Sequence, residues 1–582
     1  MASNMTEMIV LTDSRRLPGL NLLWDRPGAV ADIACPDDLT ERFIARWQEQ
    51  ARRMLDALGW REELLTSRRF PNGASVAISA PVDGLFAATE INEWAVATAT
   101  TRLAGGDSPP LEPARASLAL QIGAEANPAL AALHQAARQH QVTFLFDPDQ
   151  VSVGGGIGSL TWPLNAIPSP DAVDWSAVHD VPLVLVTGSN GKTTTVRLLA
   201  AIAHQAGHVT GFSSTDAVVV NGEVIDRGDW AGPAGTRLVL RDRRVEFAVL
   251  ETARGGILRR GLAVSRAVAA IVTNIAEDHF GEWGVSDLRA LADTKLVVGR
   301  AVLPGGRLVL NADDPVLVTA ATTLSVPILW TSLDSGSPLL QRHRAAGGEA
   351  CWLADGSIIL EQHGQTTEVA SLTSIPITVN GTARHNVANV LGVVALAAAS
   401  GLPLDAIRRG LTTFGVSPRD NPGRLNVYRI GEVTIVVDFA HNPHGMDALV
   451  AMATQLPARR RLVVLGQAGD RDDLALRQLA ASAVAFRPDR VILKEMEKYL
   501  RERPPGQVGD VMEAEFLRLG IPAAHITRAP SEFEAVRSAL DWAQPGDLLL
   551  LPTHAERGRV LAFLDQLERA TWRPGDALPE LT

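Results

Sequence analysis

Short apolar runs alternate with amphipathic stretches through the middle and the end of the chain. A buried strand is a continuous apolar run, whereas a covering helix places apolar residues three and four positions apart. In the middle of the chain the predicted strands are residues 181–186, 245–251, 268–274 and 307–311, with a helix beginning near residue 192. Further along, the predicted strands are residues 433–438, 461–465, 490–493 and 547–551. Both regions are therefore predicted to be α/β units built on mostly parallel sheets.

Two polar segments that contain proline divide this pattern into three parts. Residues 162–180 are predicted to be a linker, and SPRDNPGR at residues 417–424 marks a second boundary. We therefore expect an α/β protein of three domains, with the ranges 1–165, 176–418 and 419–582. The first is a small N-terminal α/β domain, the second a parallel sheet covered by helices on both faces, and the third a Rossmann-like domain.

Some local stretches carry weaker signals. The N-terminal region combines a predicted helix at residues 39–58 with a short predicted strand at residues 142–146. The glycine run at residues 154–158 has no helix pattern after it, so we do not expect it to bind a ligand. Residues 332–380 are richer in Gly, Ser and Thr, and they are predicted to form an antiparallel annex to the central domain.

Composition narrows the classes of partner. The 582 residues carry a formal net charge of −11, so no overall positive field would attract nucleic acid. The two cysteines, Cys35 and Cys351, form neither a metal-binding spacing nor a disulfide framework, which is typical of a reducing compartment. We see no export signal, and no apolar run reaches the roughly 20 residues that span a bilayer. We expect a cytoplasmic protein that binds neither nucleic acid nor membrane.

The most specific chemical signal is a glycine-rich turn between a predicted buried strand and a predicted helix. Such a turn directs backbone N–H groups and the positive end of the helix at phosphate oxygens. Its predicted nucleotide-binding residues are Gly188, Ser189, Asn190, Gly191, Lys192, Thr193 and Thr194. The strict P-loop spacing would place a first glycine at Val186, so this chain keeps only the compact GxxGK[ST] form. We expect Lys192 to reach the β and γ phosphates and the Thr193 hydroxyl to coordinate Mg²⁺.

An acid and a histidine follow two of the predicted strands. Glu251 ends one strand, and His279 comes shortly after another. Because the carboxyl ends of parallel strands meet at one edge of a sheet, both side chains are predicted to lie beside the phosphate loop and to hold a metal ion. Lys295 lies on a predicted helix, where the apolar pattern alone would make it a solvated side chain.

Several motifs together resemble the Mur ligase superfamily. They are GSNGKTTT at residues 188–195, TNIAEDHF at 273–280, ARHNVANV at 383–390 and DFAHNP at 438–443. Within the superfamily the sequence is most similar to the Mur-like half of the cyanophycin synthetases. That likeness covers nearly all of residues 181–555, and its segments are GDWAGP at 228–233, LETARGGILRRGL at 250–262, LVLNADDP at 308–315 and GQAGDRDD at 466–473. Residues 15–24 weakly resemble the amino-terminal domain of the same enzymes, whereas their ATP-grasp domain is expected to be absent here.

The resemblance implies a role for particular residues. ATP and Mg²⁺ are the implied cofactors. Thr193, Glu251 and His279 would be metal ligands, and a carbamylated Lys295 would help to hold a second Mg²⁺. The implied catalytic residues are Lys192, Glu251, His279, Lys295 and Arg254. On the nucleotide, Asp438 would contact the ribose, His441 would lie near the phosphates, Arg424 would orient the molecule at the hinge, and His385 and Asn386 would line the adenine side.

The family also implies the reaction, which is ATP-dependent, ADP-forming amide ligation. A substrate carboxylate would become an acyl phosphate, and the amine of an incoming amino acid would displace phosphate while closure of the C-terminal domain excludes water. Arg254 is the candidate for steering an acidic amino-acid or peptide acceptor, and the incoming amino acid is expected near residues 470–472. The chain has KEM at residues 494–496 and RER at 501–503 where the cyanophycin enzymes have KED-like and RGR-like segments. That departure puts arginine in doubt as the added amino acid.

Two other classes of function stay open at this point. A P-loop kinase or ATPase of another class would not explain DFAHNP or the second Rossmann-like unit. A non-catalytic Mur-like protein that supports a separate ATP-grasp ligase would fit the fold, although the intact Lys192, Glu251 and His279 argue against it. By analogy with the family, we expect a homo-oligomer.

Overall fold

The computed structural model describes residues 8–107, 109–277 and 280–580, and within them the strands form four sheets. The N-terminal sheet is antiparallel, with the strand order Val10–Leu17, Gly28–Ala34, Gly73–Ser79 and Leu65–Phe70. Two helices, Asp37–Ala57 and Leu85–Leu103, pack against it. The first buries Phe43, Trp47 and Met54, whose spacing places them on one helical face. This confirms an α/β N-terminal domain.

A second, smaller antiparallel sheet connects this domain to the rest. Its strands are Phe144–Phe146, Gln150–Val153 and Leu160–Pro163, and they follow the helices Leu111–Glu125 and Pro128–Gln139. The glycine run after the second strand serves packing. Gly156 has a φ of +58°, and a Cβ atom there would lie 2.2 Å from the carbonyl oxygen of Val245. Only glycine therefore lets this loop approach the central domain so closely.

The central sheet has eleven strands. Their order is Glu223–Arg227, Ala217–Val220, Thr210–Ser213, Phe247–Glu251, Leu183–Thr187, Ala267–Val272, Val302–Asn311, Ile328–Ser332, Ala350–Ala354, Ser357–Gln362 and Gln365–Ser371. The strands from Thr210–Ser213 to Ala350–Ala354 pair in parallel, and antiparallel strands extend both ends. The antiparallel stretch expected at residues 332–380 is therefore present, but it continues the central sheet because Ala350–Ala354 pairs in parallel with Ile328–Ser332.

Helices cover both faces of this sheet, as predicted. Alternate residues of Leu183–Thr187 show why: Leu183 and Leu185 join one apolar cluster, whereas Val184 and Val186 join the other. The helices Pro233–Arg241, Arg254–Arg260, Leu288–Lys295 and Pro315–Ala321 contribute to the first cluster. The helices Lys192–Gln205, Arg384–Ala399 and Leu404–Thr413 contribute to the second.

The C-terminal domain repeats this plan on a six-stranded sheet. Its strand order is Asn426–Ile430, Val433–Asp438, Leu548–Pro552, Arg461–Leu465, Arg490–Lys494 and Ile526–Ala529, and all pairs except the first are parallel. The helices Pro443–Ala453, Asp473–Val484 and Gln507–Arg518 cover one face. The helices Glu532–Trp542 and Arg557–Arg569 cover the other. Across the described ranges, no helix is long and apolar enough to cross a membrane.

Candidate functional site

A cleft of about 610 Å³ lies where the central and C-terminal domains meet. It is lined by the carboxyl ends of central-sheet strands, by the start of the helix Lys192–Gln205, and by the segment that follows Val433–Asp438. The predicted site residues that line it are Ser189, Asn190, Gly191, Lys192, Thr193, Thr194, Glu251, Arg254, Lys295, His385, Asn386, Arg424, Asp438 and His441. The structure thus gathers residues from distant motifs around one space. The predicted metal ligand His279 lies outside the described residues.

The turn before the helix Lys192–Gln205 depends on two glycines. Gly188 has a φ of +147°, and a Cβ atom there would lie 1.8 Å from the Thr273 hydroxyl oxygen. Gly191 has a φ of +84°, and a Cβ atom there would lie 2.2 Å from Oδ1 of Asn389. Both positions therefore require glycine for backbone conformation and for space. The result places the N-terminus of a fourteen-residue helix, with its positive end, at the wall of the cleft.

Two lysine side chains converge on this turn. Lys192 Nζ donates to the carbonyl oxygens of Gly188 and Ser189 at 3.0 and 3.1 Å, and Lys295 Nζ donates to the same Gly188 oxygen at 2.9 Å. Lys295 is only 3% exposed, so the solvated side chain predicted from the apolar pattern is wrong. The helix Leu288–Lys295 also buries Leu291 and Ala292, which brings its last residue under the phosphate loop. Two ammonium groups therefore lie at one backbone carbonyl at this end of the cleft.

A buried carboxylate lies next to the loop. Glu251 is 0% exposed at the end of its strand and accepts hydrogen bonds from the hydroxyls of Thr193, at 2.9 Å, and Thr215, at 2.7 Å. A carboxylate and hydroxyl oxygens are the hard donors that Mg²⁺ prefers. Within the described residues no group of three His, Cys, Asp or Glu side chains could hold a metal ion by itself. The donors present fit a Mg²⁺ ion that takes its remaining ligands from phosphate oxygens and water.

Three residues that were not predicted as site residues, Asn421, Asn442 and His444, join the C-terminal side of the cleft to the phosphate loop. Asn190 Nδ2 lies 3.0 Å from Nδ1 of His444, and Asn190 Oδ1 accepts from Nδ2 of Asn442 at 3.0 Å. Asn421 Nδ2 donates to the Thr194 hydroxyl at 3.1 Å. Asn442 lies inside DFAHNP, where it also caps the helix Pro443–Ala453, so its motif could have marked it. Nothing in the local sequence marks Asn421 or His444 for their contacts with Thr194 and Asn190.

The side of the cleft assigned to adenine is formed by the start of the helix Arg384–Ala399. Asn386 uses its amide inside the protein, since Nδ2 donates to the Ile377 carbonyl at 2.9 Å and Oδ1 accepts from Asn389 at 3.2 Å. His385 is partly accessible, but its Nδ1 is enclosed and has no hydrogen-bond partner among the described residues. Burial, and secondarily the nearby His444, lower the pKa of His385 to about 4. His385 is therefore neutral at pH 7.

The hinge side of the cleft combines a carboxylate, an aromatic ring and a guanidinium group. The Arg424 guanidinium lies 4.0 Å from the Phe439 ring centroid, and the Asp438 carboxylate accepts from the Leu425 backbone N–H at 2.8 Å. Burial raises the pKa of Asp438, although Arg424 opposes that shift. His441 Nδ1 lies 3.1 Å from the Phe439 carbonyl oxygen. This arrangement presents hydrogen-bonding oxygen atoms beside a flat apolar surface.

The outer part of the cleft contains the candidate acceptor residues. Arg254 forms an ion pair with Glu282 and lies 5.8 Å from the Trp283 ring centroid. Asp470 lines the cleft, whereas Asp472 caps the helix Asp473–Val484 by accepting from a backbone N–H at 2.8 Å. Of the acids near residues 470–472, Asp470 is therefore the one that the structure brings to the cleft.

The KEM and RER segments act within the C-terminal domain. Lys494 is buried and forms an ion pair with Glu532, and it does not line the cleft. Arg503 holds the loop before the helix Asp473–Val484, since it donates to the carbonyl oxygens of Gly469, at 3.0 Å, and Arg471, at 2.7 Å. Lys494 and Arg503 are thus residues that these segments share with the cyanophycin-like patterns, whereas the departures lie at Met496, which is buried, and at Glu502, which is exposed.

Comparison with known proteins decides the family. Residues 186–397 match the family model of the Mur ligase middle domain, and residues 423–552 match that of the Mur ligase, glutamate ligase domain. Together the two matches span more than half of the 582 residues. The chain belongs to the Mur ligase family. The sequence resemblance carried by the four Mur-like motifs is thereby confirmed.

Relatives within the Mur ligase family differ in how much of their length this chain covers. It is 36% identical over 393 residues to cyanophycin synthetase of Synechocystis sp., an alignment that covers 67% of this chain and 43% of that protein. It is 29% identical over 402 residues to UDP-N-acetylmuramoyl-L-alanyl-D-glutamate–2,6-diaminopimelate ligase of Geobacillus kaustophilus, covering 66% of this chain and 75% of that enzyme. The structure of E. coli FolC in complex with DHPP and ADP gives a TM-score of 0.47 at 19% identity, over 66% of this chain and 89% of that one. The chain spans less than half of the cyanophycin synthetase.

Proposed function

We propose that this Mur-family chain is an ATP-dependent, ADP-forming ligase that joins the carboxylate of an acidic amino acid or peptide to the amine of an amino acid. The observation that carries the proposal is the cleft in which the loop at Gly188 meets the DFAHNP segment of the next domain. A nucleotide held on that loop would be enclosed by two domains. We also propose that the domains have the ranges 1–165, 176–418 and 419–582, which is supported by the separate sheets.

In this proposal the loop binds the phosphates of ATP. The backbone N–H groups at the start of the helix Lys192–Gln205, together with Lys192, would stabilise the charge that develops during in-line attack on the γ-phosphate. Lys192 donates to loop carbonyls in the structure, so it would exchange these contacts for phosphate oxygens. The products of this step would be an acyl phosphate and ADP. An amine then attacks the acyl carbon, and phosphate leaves.

Thr193 and Glu251 would hold Mg²⁺, which supplies charge neutralisation at the transferred phosphate when it is bound. Lys295 is buried next to the same loop, where a second ammonium group adds to the positive charge. Carbamylation would convert that ammonium into an anionic oxygen donor suited to a metal ion. Mass spectrometry of the intact protein and a dependence of turnover on bicarbonate would test the carbamate, and an unmodified Lys295 with bicarbonate-independent turnover would contradict it.

Exclusion of water follows from the contacts between domains. An acyl phosphate is hydrolysed if water reaches it, so the cleft must close before phosphoryl transfer. The hydrogen bonds of Asn190 with Asn442 and His444 join the phosphate loop to the C-terminal domain in the closed arrangement. Arg254 would orient the acceptor carboxylate, which requires it to share its guanidinium with Glu282. The incoming amino acid would approach from the side of Asp470.

One experiment tests the reaction. The protein is incubated with Mg-ATP and panels of acidic acceptors and amino acids, while ADP release and product mass are measured. ADP release that requires both co-substrates, with a product lighter than their sum by one water, supports the ligase. Transfer of phosphate to a stable product would indicate a kinase, and inactivity across the panel would favour a non-catalytic partner of a separate ATP-grasp ligase.

The residue-level test uses Lys192. Replacing it by alanine removes the ammonium group that stabilises the transition state, so Lys192→Ala should lower turnover by at least roughly a hundredfold while the fold is kept. Lys498→Ala is the matched control, because Lys498 is exposed in the C-terminal domain and does not line the cleft. Turnover by Lys192→Ala within a few-fold of the control would contradict the assignment of the phosphate loop.

A further inference from the structure

Behind the DFAHNP segment lies a group of charged and polar side chains, the buried Lys494 and Glu532 and the partly buried His554, which we call the Lys494 network. Lys494 ends the strand Arg490–Lys494, and Glu532 begins the helix Glu532–Trp542. The side chains of Lys494 and Glu532 are both 0% exposed. A buried ion pair is costly to desolvate, so its presence calls for a reason beyond stability.

The hydrogen bonds of Lys494 fully occupy its ammonium group. Its Nζ lies 2.5 Å from Oε2 of Glu532, 2.5 Å from the Pro552 carbonyl oxygen and 3.3 Å from Nδ1 of His554. A lysine ammonium has three donors and no acceptor. Nδ1 of His554 must therefore be the acceptor, which leaves the ring proton on Nε2.

That proton has a defined partner. Nε2 of His554 lies 3.0 Å from the carbonyl oxygen of Ala440, the third residue of DFAHNP, and Ala440 lines the cleft. Burial, together with the charge of Lys494, keeps the pKa of His554 well below its ordinary value, so the ring stays neutral near pH 7. The His554 ring also packs edge-on against the Phe439 ring, with centroids 5.1 Å apart. His554 thus holds Ala440 and its neighbour through two different contacts.

Glu532 and Gly466 also shape the surroundings of the Lys494 network. Glu532 accepts from the backbone N–H groups of His554 and Glu556 at 2.7 Å each, so the same carboxylate fixes the backbone around the imidazole. Gly466 lies on the neighbouring strand end, where a Cβ atom would lie 2.5 Å from Cγ of Lys494. Any larger residue at Gly466 would displace the lysine chain.

We propose that Lys494, Glu532 and His554 are positioning residues, which fix the His554 tautomer so that it holds the Ala440 carbonyl and sets residues 438–441 against the nucleotide. The inference deepens the proposed ATP-dependent function and rests on it for the identity of the ligand. Asp438 and His441 flank the held segment, so a shift of Ala440 would move both from the nucleotide. No member of the network needs to touch the nucleotide itself.

The tautomer provides a test that does not require turnover. Histidine ¹⁵N NMR of the full chain, with the His554 signal assigned by comparison with His554→Gln, should show a protonated Nε2 and an unprotonated Nδ1. The double variant Lys494→Met/Glu532→Gln removes both charges together, which avoids leaving one buried charge alone. Nδ1 then no longer faces an ammonium donor, so the fraction of the Nε2–H tautomer should fall, although the Ala440 carbonyl still favours that form. A wild-type His554 protonated at Nδ1, or a double variant with an unchanged tautomer, would overturn the inference.

The functional consequence is measured as binding of Mg-ADP and of a non-hydrolysable ATP analogue by calorimetry, and as kcat and KM for ATP where turnover is found. His554→Leu removes donor and acceptor and should weaken nucleotide binding roughly tenfold, as expected for one lost hydrogen bond. His554→Gln can accept from Lys494 and donate to Ala440, so its affinity should stay within about threefold of wild type.

Wild-type affinity in folded His554→Leu, or equal losses in both variants, would overturn the proposal. If wild type binds nucleotide but ligates nothing in the panel, the proposed reaction fails. In that case the positioning role is still tested by the His554 tautomer and by the nucleotide affinities of His554→Leu and His554→Gln.

Discussion

Three arginines surround one buried aspartate at the junction between the central and C-terminal domains. Asp216 Oδ1 lies 2.5 Å from Arg557 and 3.9 Å from Arg424, and Oδ2 lies 3.8 Å from Arg197. The side chains are 9% exposed for Asp216 and 16–19% exposed for the arginines. Burial alone would raise the pKa of Asp216, but Arg424, Arg557 and Arg197 together lower it below its ordinary value. One carboxylate therefore compensates an excess of buried positive charge.

Asp216→Asn keeps the shape and removes that charge. Breaking a buried pair by removing one partner costs about 3–5 kcal/mol, and here three cations lose their partner. For units of roughly 150–250 residues, each kcal/mol shifts Tm by about 2–4 °C, so Tm should fall by roughly 6–20 °C. Arg557→Gln leaves Asp216 with two arginines and should cost less, about 2 kcal/mol.

Differential scanning calorimetry at pH 7 measures these shifts, with Asp226→Asn on the exposed strand Glu223–Arg227 as the control. Because the folded pKa of Asp216 is depressed, its stabilisation is present above the unfolded pKa of about 3.9 and is lost as pH falls through the folded pKa. The difference between wild type and Asp216→Asn should therefore shrink below about pH 4. A change of less than about 2 °C at pH 7 would refute the reasoning, because it corresponds to less than about 1 kcal/mol.

Two other predictions concern the cleft walls. Gly191→Ala forces a φ of +84° on alanine and places a Cβ atom 2.2 Å from Asn389. Because the backbone strain alone costs about 1–2 kcal/mol, calorimetric titration should show nucleotide affinity reduced at least roughly tenfold. The control Gly123→Ala, at an open helical site, should bind nucleotide as wild type does, and equal affinities of the two variants would contradict this account. His385 has a pKa of about 4 in the folded protein against about 6.5 when unfolded, so the unfolded state takes up its proton first and the protein loses up to about 3 kcal/mol of stability as pH falls from about 6.5 to 4. In urea unfolding, His385→Asn should therefore lose less free energy of unfolding over that range than wild type. Equal losses in the two proteins would contradict a buried, neutral His385.

The architecture was predictable because the residues that decide it act locally. The buried strand Leu183–Thr187 is apolar at four of its five positions because both faces of the sheet are covered by helices, and this leaves a clear run in the sequence. The same reasoning placed Glu251 at the edge where the phosphate loop lies. The annex at residues 332–380 shows the limit, since its strands were predicted but not their union with the central sheet. That union depends on one parallel pairing, between Ile328–Ser332 and Ala350–Ala354.

Lys295 shows a second limit. On a helix whose apolar residues point inward, a lysine at the end is ordinarily solvated, and only tertiary packing decides otherwise. Here the end of Leu288–Lys295 lies under the phosphate loop, where the Gly188 carbonyl accepts from the ammonium group. The pattern of a single helix contains no information about which loop covers its end. The family resemblance, which compares whole arrangements and not single elements, instead predicts that Lys295 helps to hold a metal ion.

Contacts between domains were the least predictable feature, and they join the two domains that line the cleft. Arg557 and Asp216 lie 341 positions apart, and Asn190 and His444 lie 254 apart. Each residue is unremarkable within its own segment, because an arginine at a helix start or an asparagine in a turn has many ordinary roles. Their function arises from how two sheets are placed against each other. Since the same placement brings DFAHNP to the phosphate loop, variants of these contacts should alter nucleotide affinity even though Asp216 and Arg557 lie outside the cleft lining.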